Sequence, residues 1–126
     1  MRNLRSALLS PRVCFMLVAV LFALTVLTPR STATVPSLTI NVVNNSGREI
    51  RHFYLSPADN DNWGADQLNG SSINAGATRT LAVSWDQSTV KLVAEDQDGC
   101  FVSTTVEATG SRDWTITSDA ARNCGG

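Results

Sequence analysis

The chain has one histidine, His52, and no Gly-x-Ser-x-Gly motif. It also lacks glycine-patterned phosphate loops and any stretch with convincing helical periodicity. Each absence excludes a chemistry. A zinc centre built on nitrogen and sulfur needs several imidazoles or free thiolates. A serine hydrolase of the elbow type needs the strained strand-to-helix turn that presents its nucleophile. His52 sits in mid-strand, with no nucleophile or orienting carboxylate placed beside it by the sequence, so it reads as a half-exposed strand residue. A carboxylate pair could in principle serve glycoside hydrolysis. A domain of about 90 residues, however, offers little depth for a catalytic cleft. No catalytic residue is therefore assigned, no cofactor is expected, and the chain is read as a non-enzyme.

Basic residues are scarce beyond the first third. Residues 1–12 carry Arg2, Arg5 and Arg12 and no acid. Residues 13–27, VCFMLVAVLFALTVL, are apolar apart from Thr25. Then follows TPRSTA, with Ser31 and Ala33 as the small residues before a cut. A basic start, an apolar run and a small-x-small ending describe a secretory signal peptide. The expectation is a signal over residues 1–33, cleaved after Ala33, and a domain over 34–126. The apolar run is shorter than the roughly 20 residues that span a bilayer. No cysteine lies at the expected cut and the arginines are unpaired, so neither a lipid anchor nor a twin-arginine signal is expected. Beyond residue 33 stand all 11 acids but only six basic residues, a net of −5 (6 − 11). Nucleic acid and anionic membranes, which need a cationic face, are poor partners for such a surface.

Cysteine is equally sparse. Cys14 falls within the signal, leaving Cys100 and Cys124. An even pair in an exported chain reads as a disulfide. It would close a loop of about 25 residues, worth about 3.5 kcal/mol in the chain-entropy picture. That matters for a short chain with a modest core. A secreted or periplasmic location follows from the same features.

What the chain does have is period-two alternation. Leu38, Ile40 and Val42 face one way, with Thr39 and Asn41 facing the other. Residues 44–47, NNSG, supply turn chemistry, and the aromatic-rich 49–56 completes an expected hairpin with the first strand. Further strands are expected over 78–85, 89–96, 100–108 and 113–119. Leu81, Val83 and Trp85 face inward, as do Val90, Leu92 and Ala94, Cys100, Val102, Thr104 and Val106, and Trp114 and Ile116. Asp98-Gly99 signals a tight hairpin. Six strands with turn signals between them, and a short seventh inside the long loop, predict an all-β fold: a small antiparallel β-sandwich with one disulfide. Asn44-Asn45-Ser46 and Asn69-Gly70-Ser71 match the N-glycosylation sequon, which bears only on a eukaryotic host.

The long connection, SPADNDNWGADQLNG over residues 56–70, holds the candidate site. Asp59, Asp61 and Gly64 begin like a calcium loop. The fifth position is Trp63, which offers no oxygen, and the twelfth is Gly70 rather than a bidentate Glu. An EF-hand is excluded, and a looser calcium site from Asp59, Asp61 and Asp66 is the minority reading. Recognition through Asp59, Asp61, Asn62, Trp63 and Asp66 is the better one, since long loops on rigid sandwiches carry binding. A tryptophan among Asn and Asp residues can stack on a sugar or anchor a protein partner. For Trp63 itself the structural reading is favoured over exposure: it folds back to plug one end of the sandwich, with Leu68 joining the core and Asp66 capping local amides.

VVNNSGREIRHFYLSPADNDNWGADQL resembles the opening of a family of small, exported, uncharacterised bacterial β-rich proteins. The matching positions are Val42, Asn44, Ser46, Gly47, Ile50, Tyr54, Ser56, Pro57, then the Trp-Gly-x-Asp-x-Leu element at Trp63, Gly64, Asp66 and Leu68, then Gly76 and Asp98-Gly99. The resemblance covers about residues 38–107. It implies a secreted β-rich fold with no assigned activity. Such proteins often place a cysteine before the aromatic strand that precedes the Asp-Gly. Here that region reads Ser88-Thr89-Val90 and Cys100 follows the turn, so the family's disulfide arrangement does not carry over. The first strands bear a weaker similarity to thaumatin-like proteins, without their dense cysteine framework. The functional expectation is an exported binding or structural module whose partner is a carbohydrate or an envelope protein. A calcium-stabilised adhesion module is the alternative, and a small hydrolase using the loop carboxylates ranks below it.

Overall fold

Alternating burial along most of the strands builds the fold. The computed structural model describes residues 29–32 and 36–125. The chain divides into two units, Met1–Ala33 and Thr34–Gly126. The expected signal and its cleavage site lie almost wholly outside the described residues. No helix among the described residues is long and apolar enough to cross a membrane. The strands are β1 (Ser37–Asn45), β2 (Ile50–Ser56), β3 (Thr78–Ser84), β4 (Thr89–Asp96), β5 (Phe101–Glu107) and β6 (Ser111–Thr117).

They form two three-stranded sheets, ordered β3-β1-β6 and β2-β4-β5. Pairing is antiparallel except between β1 and β6, which run parallel. The inward rows are Leu38, Ile40 and Val42 from β1, Leu81 and Val83 from β3, Ile116 from β6, Phe53 and Leu55 from β2, Val90, Leu92 and Ala94 from β4, and Val102 from β5. These side chains form one core between the sheets. Trp85 and Trp114 pack against it while staying partly exposed. The Trp114 ring meets Phe53 of the opposite sheet at 6.0 Å, tilted, a favourable aromatic geometry.

Three sequence expectations change. First, β1 and β2 are not a hairpin: they belong to different sheets, and residues 45–50 cross between them. Alternation tells which side of a strand is buried, but not which neighbour it pairs with. Second, no seventh strand forms in the long loop; Ile73 makes only a single bridge to Ile50. Third, β6 begins two residues earlier than expected, because the Thr39 amide bonds to Gly110 O at 2.9 Å and draws Ser111 into the parallel ladder.

The crossing turn also alters the reading of Asn44. This residue has 0% exposure. Its Nδ2 donates to Arg48 O at 2.6 Å and to Ile73 O at 2.9 Å. Its Oδ1 accepts from the Ser46 amide and hydroxyl at 3.2 and 2.7 Å. Every polar atom of the amide is satisfied, as burial demands. Asn44 therefore joins the end of β1, the crossing turn and the end of the long loop, and no glycan can reach it.

The β4–β5 hairpin forms as expected. Its connection is Gln97-Asp98-Gly99, with Gly99 at φ 76° and Asp96 N bonding to Cys100 O at 3.0 Å. A three-residue loop ending in a left-handed residue is a common hairpin closure. Buried Asp96 organises it: Oδ1 accepts from the Asp98 and Cys100 amides, while Oδ2 accepts from Arg122 Nε and Nη2 at 2.9 and 2.6 Å. Cys100 and Cys124 are bonded, with S–S 2.06 Å. Beside the disulfide, Phe101 and Asn123 exchange two backbone hydrogen bonds of 2.8 Å. The C-terminal tail is thereby held along the free edge of β5.

Candidate functional site

The site grows from the outer face of the β2-β4-β5 sheet. Register aligns Tyr54, Val93 and Ser103 in one row across it. Ser56, Lys91 and Thr105 form the next row, and His52, Glu95 and Phe101 the third. Val93 points outward in this register yet is buried. Something must cover it, and the long loop does so.

The loop is fastened along the free edge of β2. Gly64 N donates to Leu55 O at 3.0 Å and Gln67 N to Phe53 O at 2.7 Å. Ile50 and Ile73 exchange amide bonds of 2.9 Å. These contacts also protect an edge that would otherwise offer unpaired backbone groups. Leu68 and Ile73 enter the core as apolar anchors. The Ser56 hydroxyl donates to Asn60 O at 2.8 Å, and Lys91 Nζ donates to Asn60 O at 3.0 Å and to Asp61 Oδ1 at 2.8 Å.

Asp66 completes the attachment. Its Oδ1 accepts from the Phe53 and Leu68 amides, each at 3.0 Å, and its Oδ2 lies 2.8 Å from His52 Nδ1. Burial alone would push the carboxyl up, but the Phe53 amide, the His52 ring and the Leu68 amide outweigh it and hold the pKa below the usual aspartate value. Amide capping by Asp66 thus occurs as the sequence suggests, reaching across to β2 as well as within the loop.

Trp63 departs from its favoured reading. It is not a plug: it is 38% exposed, and Leu68 alone takes the buried anchor role within Trp-Gly-x-Asp-x-Leu. The indole lies nearly parallel to Tyr54 with ring centroids 5.5 Å apart. It also packs at a tilt against Phe101 at 4.9 Å. The reason lies in the strands beneath it. Tyr54 and Phe101 flank outward Val93, making an apolar platform on the sheet's outer face that the indole covers without entering the sandwich.

Beside the indole runs a groove of about 560 Å³, lined by Asp61, Trp63, Lys91, Val93, Phe101, Ser103, Ala121 and Asn123. The loop supplies Asp61 and Trp63, the sheet supplies the floor, and the disulfide-held tail supplies Ala121 and Asn123. Lys91 lowers the Asp61 pKa, first by its hydrogen bond and then by its charge.

Of the five candidate binding residues, the structure brings Asp61 and Trp63 to this groove. Asp59 and Asn62 are exposed elsewhere in the loop, where Asp59 Oδ1 accepts from Asn60 Nδ2 and the Asn62 amide donates to Asn60 Oδ1. Asp66 faces β2. The three loop aspartates therefore do not converge, and among the described residues no group of three His, Cys, Asp or Glu side chains could hold a metal ion. Sequence reasoning missed Lys91, Val93, Phe101, Ser103 and Asn123. One signal was present: Leu92-Val93-Ala94 interrupts the alternation of β4 with an apolar residue on the outward side. Comparison with family models, curated proteins and solved structures finds no match to this chain.

Proposed function

We propose that this protein is an exported, non-enzymatic binding module, secreted or periplasmic, whose groove on the β2-β4-β5 sheet takes a carbohydrate. The observation that carries the reading is the aromatic wall of Trp63 and Phe101 beside polar Asp61, Lys91, Ser103 and Asn123. A sugar ring has an apolar C–H face and a rim of hydroxyls that both donate and accept. An aromatic wall serves the first, and side chains of mixed polarity serve the second. The groove's size falls in the range of small-ligand sites, about 300–1,000 Å³. Its walls are held by a fastened loop and a disulfide rather than left to order on binding, which lowers the entropic cost of association. The Cys100–Cys124 bond suits an oxidising compartment, and the resemblance over residues 38–107 points to export as well.

The test is a glycan array of the domain over residues 34–126, followed by calorimetry on any hit. Trp63→Ala should weaken binding at least about tenfold, as expected when a central aromatic contact is lost, while leaving a cooperative thermal transition. Binding that survives Trp63→Ala unchanged would refute the groove as the site.

A further inference from the structure

We infer that Asp61 sets the charge of the ligand, so that the groove takes uncharged sugar rings and rejects rings bearing carboxylate or sulfate. The inference rests on the carbohydrate reading and adds a specificity to it.

Lys91 is the one cation among the residues lining the groove. An ammonium group has three N–H donors. Two are committed, to Asn60 O and to Asp61 Oδ1. Its charge is therefore met within the protein, at 2.8 Å, before any ligand arrives. The Lys91 side chain is 20% exposed while that of Asp61 is 79% exposed. An approaching ligand thus meets the carboxylate more openly than the ammonium. Lys91 holds the Asp61 pKa below its ordinary value, so the carboxylate stays ionised at neutral pH.

The surroundings do not reverse this balance. Glu95 lies on the same outer face, and Asp59 in the same loop. Arg122, which follows lining residue Ala121, is committed to Asp96 and Asp98. A uronate or sulfate entering the groove would find one ammonium already shared with the one lining carboxylate, Asp61. A neutral hydroxyl suits the same atoms: it can accept from the third Lys91 proton and donate to Asp61, two complementary bonds from one group. Asp61 is then a specificity-determining residue, acting by occupying Lys91 and by its own charge.

The test compares matched probes, a neutral hexose tetrasaccharide and the hexuronate tetrasaccharide of the same linkage, by calorimetry at low and physiological salt. Wild type should prefer the neutral member. Asp61→Asn removes one charge from an exposed position and should keep the melting temperature. It should strengthen hexuronate binding by about fivefold at low salt, the scale of one unit charge a few ångströms away in a largely aqueous setting. That gain should shrink at physiological salt, where charges are screened over about 8 Å. Lys91→Met should show no such gain. Wild-type protein that binds the hexuronate as tightly as the neutral probe, or Asp61→Asn protein without the gain, would overturn the assignment while leaving carbohydrate binding intact. Binding of neither probe class, on the array or by calorimetry, to wild type and to Asp61→Asn would overturn the carbohydrate reading itself, and this inference with it.

Discussion

The two outer faces of the sandwich are built differently. On the β3-β1-β6 sheet the outward positions are Thr78, Thr80, Ala82 and Ser84, then Thr39, Asn41 and Val43, then Ser111, Asp113, Thr115 and Thr117. Asn41 ties these strands together on the surface: it accepts from the Thr80 hydroxyl at 2.9 Å and donates to Asp113 at 2.7 Å. No long loop is fastened over this face among the described residues. The β2-β4-β5 face instead carries Tyr54, Val93 and Phe101, and both the long loop and the C-terminal tail attach beside it. Hydroxyls on a solvated sheet face need no cover. An outward Tyr-Val-Phe patch does, and the chain supplies a tryptophan to meet it. Covering one face, and leaving a groove at the margin of the cover, is what sets that face apart and supports the proposal that recognition happens there.

Removing the cover's supports should hurt most. The paired change Cys100→Ser with Cys124→Ser should cost about 3.5 kcal/mol of folding stability by the loop-closure estimate. Calorimetry would read this as a fall in melting temperature of about 14–28 °C for a domain of this size, at about 4–8 °C per kcal/mol. Leu68→Ala removes the buried loop anchor and should cost about 3 kcal/mol, measured by urea unfolding. The unfolding slope should stay the same if the sandwich remains one cooperative unit. A loss under about 1 kcal/mol would show that the loop is not fastened through Leu68.

Acid should act on the covered face through Asp66 and Asp96. Burial raises each carboxyl, but the backbone amides, with the His52 ring at Asp66 and the Arg122 guanidinium at Asp96, lower it by more, so both folded pKa values lie below the ordinary 3.8. Between the folded and unfolded pKa the unfolded chain binds more protons, so stability rises with pH there. The contribution is complete above pH 5 and is lost as the pH falls through 3.8 and below. A denaturation midpoint that is flat from pH 6 to 2 would contradict this.

Smaller effects separate the faces more finely. Trp63→Ala should cost only about 1 kcal/mol, the scale of aromatic contacts at a partly exposed site; a loss of several kcal/mol would restore the plug. Thr78→Ala on the hydroxylated face should change stability by less than about 0.5 kcal/mol and leave ligand binding untouched.

Much of this was legible in the sequence, and what was not has physical causes. Period-two burial identified five of the six strands and their buried rows, because one buried face imposes that rhythm; the inward residues of β2, Ile50, Phe53 and Leu55, were not assigned from it. The Cys100–Cys124 bond followed from the cysteine count in a chain read as exported, and the Asp98-Gly99 hairpin from local turn chemistry. Strand partnership did not follow: Asn44 to Gly47 looks the same whether it closes a hairpin or crosses between sheets, and the parallel β1–β6 pair joins residues far apart in the chain. The candidate site was half visible for the same reason. Asp61 and Trp63 stand together in one loop, whereas Lys91, Phe101, Ser103 and Asn123 reach the groove only through cross-strand register and the tail's attachment. Trp63 was misjudged because its partners, Tyr54 and Phe101, belong to a face that alternation marks as solvent.

The most direct test maps the binding face by nitrogen-15 amide shifts during titration with a sugar identified on the array. Perturbations concentrated at residues 61–63, 91–93, 101–103 and 121–123, with 39–43, 78–84 and 111–117 unmoved, are predicted. Shifts clustered on the hydroxylated β3-β1-β6 face, with the groove silent, would contradict the assignment of recognition to the covered face.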